Sequence, residues 1–215
     1  METSRIIDIS RDQLFAMSEL VETSVYNSLQ TLFESNPLRG QNVIDNDKTI
    51  NSYEIDIDNT TYNILASDRS SETMTLVLSI QKINTILERI GDHAVNIAES
   101  AISLVRENEK IDLLDLPRMA DSCREILHAS LMGFFENRLD IAEDVLTRDD
   151  VVDAININIS NSCKEKVKTG TMLFETAIEI IRISKNIERI ADLSTNIAEE
   201  TCFYISGRNI KHSVE

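Results

Sequence analysis

The chain has 215 residues, 42% of them hydrophobic, enough to build one large or two small domains that fold without disulfides. Its net charge of -16, from 37 acidic and 21 basic side chains, repels phosphate backbones and anionic headgroups, which argues against nucleic acid and leaves a solvated acidic surface, a bound cation or a basic protein partner. Met1 to Ser10 lacks a signal-peptide pattern and no apolar run nears the roughly 18 residues that span a bilayer, so a cytoplasmic protein is expected, meeting membranes only through partners.

From Asp12 to Ser35, Leu14, Met17, Val21, Val25, Leu29 and Leu32 recur at steps of three and four, the stripe of a first helix. A break at Asn36 to Gly40 contains Pro37, and a second periodic stretch runs from about Val43 to Leu65. Ala66 to Ser71 is a polar turn in which Ser70 or Ser71 caps a third helix, Glu72 to about Glu107, long enough to span a domain. The second half predicts helices over Leu116 to Phe135, Ile141 to Val167 and Leu173 to about Ile205, broken at Asn137 to Asp140 and Lys168 to Thr171. No alternating pattern marks strands. Cys123, Cys163 and Cys202 stand about forty apart with no C-x-x-C pair, which reads as buried reduced thiols.

The halves repeat at residue level. Leu87-Glu88-Arg89-Ile90-Gly91-Asp92 returns as Ile187-Glu188-Arg189-Ile190-Ala191-Asp192, and Asn96-Ile97-Ala98-Glu99 as Asn196-Ile197-Ala198-Glu199, both one hundred residues on. The expected fold is all-α: six long helices in two tandem antiparallel three-helix bundles, residues 1–107 and 108–215, related by a pseudo-twofold axis.

Glu88 and Asp92 lie one helical turn apart and share a face, as do Glu188 and Asp192. The middle helices carry a second acidic set: Asp149 and Asp153 in the second half, Asp47 with the neutral Asn51 in the first. Where middle and third helices pack side by side, these form two oxygen clusters suited to a hard or borderline cation. The alternative is that Arg89 and Arg189 pair with their acidic neighbours and leave a salt-bridged surface, each exposed pair contributing about 0–1 kcal/mol. His93, His128 and His212 are scattered, with His93 a minor ligand candidate beside Asp92. There is no Gly-rich phosphate loop, no G-x-S-x-G elbow and no Cys/His arrangement that nominates a nucleophile, so an enzyme is not expected. A di-iron-type metalloenzyme would need Glu-x-x-His pairs, which the repeated sites lack, and a metal-free scaffold is the remaining rival.

The repeated signature, the motifs Asp47-Lys48-Thr49-Ile50-Asn51 and Asp149-Asp150-Val151-Val152-Asp153, and the tail from Tyr204 through Arg208 to His212 together resemble the PhoU family over nearly the whole chain. The resemblance implies a negative regulator of phosphate uptake and phosphate-starvation signalling. Such a regulator docks to the ATPase of the phosphate ABC transporter and to a phosphate-sensing histidine kinase. It also implies homodimerisation and, as in some members, iron or zinc clusters. Carried over by position, the metal role falls on Glu88, Asp92, Asp149, Asp153, Glu188 and Asp192, with Asp47 the weaker ligand. The chain departs from the family pattern at Asn51, at Glu72-Thr73-Met74, and at Leu193, whose first-half counterpart is His93.

Overall fold

The computed structural model describes residues 2–107 and 111–207. Among them are seven helices and no strand: α1 (Glu2–Phe33), α2 (Pro37–Ser67), α3 (Ser71–Glu107), α4 (Leu116–Phe135), α5 (Leu139–Val145), α6 (Asp149–Lys168) and α7 (Phe174–Ser206). α1, α2 and α3 pack on one another; α4 and α7 close the second bundle with α5 and α6. Cross-links give the directions. Asn27 with Arg39 and Gln13 with Thr60 join α1 to α2 in antiparallel register, and Asn84 with Asp58 does the same for α2 and α3. These are the two three-helix bundles expected from the repeat, and the six long helices are present.

Three boundaries differ from the periodicity. α1 starts ten residues before Asp12, carrying Ile6, Ile7 and Ile9 as helical residues. Pro37 is the first residue of α2 and not part of a connecting loop. A proline at that position forfeits no intrahelical bond, and Asn36 Oδ1 accepts the Leu38 amide at 3.2 Å. The predicted helix Ile141 to Val167 is interrupted at Leu146 to Arg148, where Thr147 and Arg148 amides turn back to Asp144 and Val145 carbonyls at 3.1 Å each. The apolar stripe runs through this turn, because Val145 and Val152 on either side are both buried, which is why the pattern concealed it.

The duplication reaches into the turns. Ser35 (φ 52°) ends α1 and Asn137 (φ 54°) ends α4, both left-handed. After each, the next amide returns to the carbonyl five residues back: Asn36 to Thr31 at 3.0 Å and Arg138 to Gly133 at 2.8 Å. That pairing satisfies a carbonyl the helix end would otherwise orphan.

α3 and α7 form the centre. They pack against each other as well as against every helix of their own bundles, while α1 and α4 make a smaller second junction. Lys82 with Glu200 and Arg182 with Glu99 fix them as antiparallel. The buried apolar residues form one continuous core across both bundles, from Leu14 to Cys202, rather than two separate cores. The three thiols are buried within it or at its margin; burial pushes Cys123 up to about 12, and its Sγ donates to the Ile187 carbonyl.

Local packing has been balanced differently in the two halves. Gly91 lies on α3 against Ile50 of α2, and a Cβ added there would stand 3.2 Å from the Ile50 Cδ1. In the second half the corresponding residues are Ala191 and Val152: one carbon more on one helix, one fewer on the other. Gly91→Ala alone should change stability little, a helix-propensity gain of about 1 kcal/mol offsetting crowding of similar size. Ile50→Val alone should cost about 1 kcal/mol. The double variant is expected to exceed additivity by about 1 kcal/mol in urea unfolding; strict additivity would show that the two positions do not compensate.

Candidate functional site

The candidate residues converge in each bundle along the seam between the middle and third helices. On α7, Ile187, Ile190 and Ala191 are buried, which fixes the rotation of the helix and turns Glu188 and Asp192 toward α6. Asp153 projects from α6 to meet them. One carboxylate oxygen from each of Asp153, Glu188 and Asp192 lies within 4.8 Å of the other two. Asp149 is the first residue of α6, but its side chain lies outside the described part of the structure, as do Arg208 and His212.

This acidic group is held by cations of its own helix. Lys185 Nζ is 2.6 Å from Glu188 Oε2, and Arg189 reaches Asp192 Oδ2 at 3.6 Å and Glu188 Oε2 at 3.9 Å. Burial raises the Asp192 carboxyl, helped by the negative fields of Glu188 and Asp153 and opposed by Arg189 and Lys185.

In the first bundle the arrangement is wider. Asp47, Asn51, Glu54 and Asp58 form a stripe on α2 opposite Asn84, Glu88 and Asp92 of α3. Burial raises Glu88, reinforced by Asp92, Glu54 and Asp47 and opposed by Arg89. Burial also raises Glu54, with Asp58 and Asp92 adding to it, and raises Asp47, with Asp92 adding and the Asn51 hydrogen bond opposing. Asn51 Nδ2 donates to Asp47 Oδ2 at 3.1 Å, while Asp47 Oδ1 and Asn51 Oδ1 are buried and accept nothing. Two neighbouring oxygens without a donor suit a cation. Among the described residues, only the second-half group brings three carboxylate oxygens within 4.8 Å.

Glu54 is the member that sequence reading missed, although it stands seven residues after Asp47 and therefore on the same helical face. Each half has kept a different acid. By register Asn51 and Glu54 correspond to Asp153 and Asn156, so the neutral residue has changed places. Asn84 Nδ2 donates to the Glu54 carbonyl and to Asp58 Oδ1, and its counterpart Ser184 bonds to Asn156. The expectation of arginine pairing holds for Arg189; Arg89 makes no ion pair among the described residues. His93 bonds across the bundle junction to Asn186 Oδ1 at 2.8 Å.

An oxygen-only donor set matches hard cations, which take carboxylates at about 2.0–2.6 Å. Zinc's structural sites more often use Cys and His, neither of which joins the Asp153, Glu188 and Asp192 group. The second-half group therefore fits an oxygen-seeking ion of the magnesium, calcium or manganese kind better than zinc, on condition that the ion displaces Lys185 from Glu188.

A PhoU domain profile matches residues 14–101 and again 116–201. The chain is 27% identical over 209 residues to phosphate-specific transport system accessory protein PhoU homolog 1 of Thermotoga maritima, covering 96% of this chain and 90% of that protein. It is 25% identical over 203 residues to the Escherichia coli accessory protein PhoU, covering 94% of this chain and 84% of that one. The crystal structure of PhoU from Pseudomonas aeruginosa superposes with a TM-score of 0.92 at 27% identity, over 95% of this chain and 99% of that chain. The regulatory protein PhoU of Streptococcus pneumoniae has the same fold, with a TM-score of 0.88 at 22% identity over 96% of this chain and 98% of that one.

Asp47, Glu54, Glu88 and Asp192 all ionise at higher pH folded than their ordinary values of 3.8 for Asp and 4.5 for Glu. The folded state consequently holds more protons than the unfolded chain just above those values, and these groups lose stability as pH rises through the window. With a chelator present, Asp192→Asn is expected to flatten the decline in melting temperature above about pH 4, while matching wild type on the acid side. An unchanged slope would mean that Asp192 carries no such strain.

Proposed function

The chain belongs to the PhoU family, and we propose that it serves as a negative regulator of phosphate uptake and of the phosphate-starvation response. In this reading it docks, as a cytoplasmic homodimer, to the ATPase of a phosphate ABC transporter and to the cognate sensor histidine kinase. The observation that carries the regulatory role is similarity over nearly the full length to accessory proteins of phosphate-specific transport. No helix among the described residues is long and apolar enough to cross a membrane, which is consistent with reaching the transporter by docking. Family membership favours regulation by binding over catalysis.

The carboxylate groups would take part in that docking. Asp153, Glu188 and Asp192, with Asp149, would hold a cation in the second bundle, and Asp47, Glu54, Glu88 and Asp92 a second in the first. A bound ion would supply charge neutralisation, allowing the two acidic seams to stay closed against their own repulsion and to accept an acidic partner. A second reading, in which the seams are metal-free and dock by side chains alone, is favoured by the Lys185 to Glu188 contact at 2.6 Å, which already neutralises part of the group.

Elemental analysis of purified wild type beside the Glu188→Ala/Asp192→Ala variant separates the two readings. Bound metal that falls by at least half in the variant supports the metal-supported form; no metal in either protein supports the side-chain form. The regulatory role is tested apart from the metal. In a bacterium lacking its own accessory protein, this chain is expected to restore repression of a phosphate-starvation reporter in ample phosphate. Failure to restore it, at normal expression and with the cognate transporter and kinase supplied, would sink the proposal.

A further inference from the structure

The junction of α3 and α7 is nearly symmetric, and the place where symmetry fails is informative. Shifting by one hundred residues exchanges the two helices, so the pair Asn186 and His93 should have a partner pair in Ile86 and Leu193. The first pair closes its end of the seam with a 2.8 Å hydrogen bond. The second cannot, and both of its side chains line an open groove of about 480 Å³ instead. Where His93 and Asn186 bond to each other, Leu193 and Ile86 instead border a concave surface.

The groove has a floor of Leu78, Ile86 and Leu193 and a cationic rim of Lys82 and Arg89. Leu78 is 45% exposed, so the floor is open to solvent. Lys82 is spent: its ammonium bonds both oxygens of buried Glu200 at 2.9 and 3.1 Å and lies 5.5 Å from the Phe203 ring centroid. Arg89 is not. Its counterpart Arg189 turns to Asp192 and Glu188, whereas Arg89 lines the groove and makes no ion pair among the described residues.

We infer that this groove binds a small amphiphilic monoanion, its carboxylate, sulfonate or phosphoester head on Arg89 and its apolar body across Leu78, Ile86 and Leu193. Lys82 is neutralised by Glu200, so Arg89, which otherwise acts only through its field on Glu88, is the cation of the rim left to meet an anionic head. A guanidinium presents paired N–H donors that match such oxyanion heads, and a volume of this size suits a compact organic molecule. A ligand seated there touches α3 of one bundle and α7 of the other, so binding stabilises their junction and raises the melting temperature with ligand concentration. This inference does not depend on the phosphate role or on metal.

The test uses 1-anilinonaphthalene-8-sulfonate, a monoanion with an apolar body, titrated by fluorescence into the whole chain, which has no tryptophan to interfere. Arg89→Gln is expected to weaken binding by about tenfold, and Thr85→Phe, an exposed position on the groove, to abolish it by filling the space. Lys164→Gln reports on the separate apolar furrow between α6 and α7 and should leave the affinity unchanged. Equal weakening by all three changes, no effect of Arg89→Gln, or no binding by wild type would each overturn the assignment. Unchanged melting temperatures without dye confirm that the exposed substitutions left the fold intact.

Discussion

The antiparallel contact between α3 and α7 is the constraint on which the rest depends. Each of these helices is covered by its own bundle and by the other, so most of its circumference must be apolar or small. Along α3 that demand shows in buried Ile83, Leu87, Ile90, Ala94, Ile97 and Ala101; along α7 it returns one hundred residues later as Ile183, Ile187, Ile190, Ser194, Ile197 and Thr201. With so much of each helix committed, the carboxylates of the repeated motif have a single outlet, the narrow strip beside α2 or α6. The acidic seams are therefore a consequence of how the core is closed, and their position is as fixed as the core itself.

Duplication supplied two copies of one solution, and the copies have since drifted in compensating ways. Gly91 with Ile50 and Ala191 with Val152 fill comparable space by different routes. Asn51 with Glu54 and Asp153 with Asn156 keep one middle-helix acid apiece but at different turns. Each pair conserves a total, of volume in one case and of charge in the other, while moving where it resides. The result for the seams is unequal geometry: a tight trio in the second bundle, and a longer stripe with two orphaned oxygens in the first.

Much of this was legible in the sequence, because three-and-four spacing states which face of a helix is buried, and buried faces orient everything opposite them. The two bundles, the pairing of middle with third helices and the meeting of Asp153 with Glu188 and Asp192 all follow from it. What escaped has a common origin in local backbone chemistry that periodicity does not encode. The turn at Leu146 to Arg148 preserves the apolar rhythm while breaking the helix, and Pro37 looked like a breaker although the first helical position tolerates it. Glu54 was overlooked because attention to four-residue pairs ignores the next turn along, and Lys185 because its pairing with Glu188 depends on a rotamer.

Charge distribution ties the junction to the seams. The two arginines of the repeated motif occupy equivalent positions, yet Arg189 forms ion pairs with its acidic seam while Arg89 lines the groove and acts on Glu88 only through its field. The first seam is accordingly the less compensated: Glu88 has Asp92, Glu54 and Asp47 raising its carboxyl against Arg89 alone, whereas Asp192 has Arg189 and Lys185 opposing Glu188 and Asp153. A cation arriving at the first seam would gain more from the field than one arriving at the second, but would find fewer carboxylates already in place. The second seam offers the reverse, a gathered set of ligands whose charge is partly satisfied. Two acidic seams of one ancestry thus differ in what each holds ready, gathered carboxylates in the second bundle and uncompensated charge in the first.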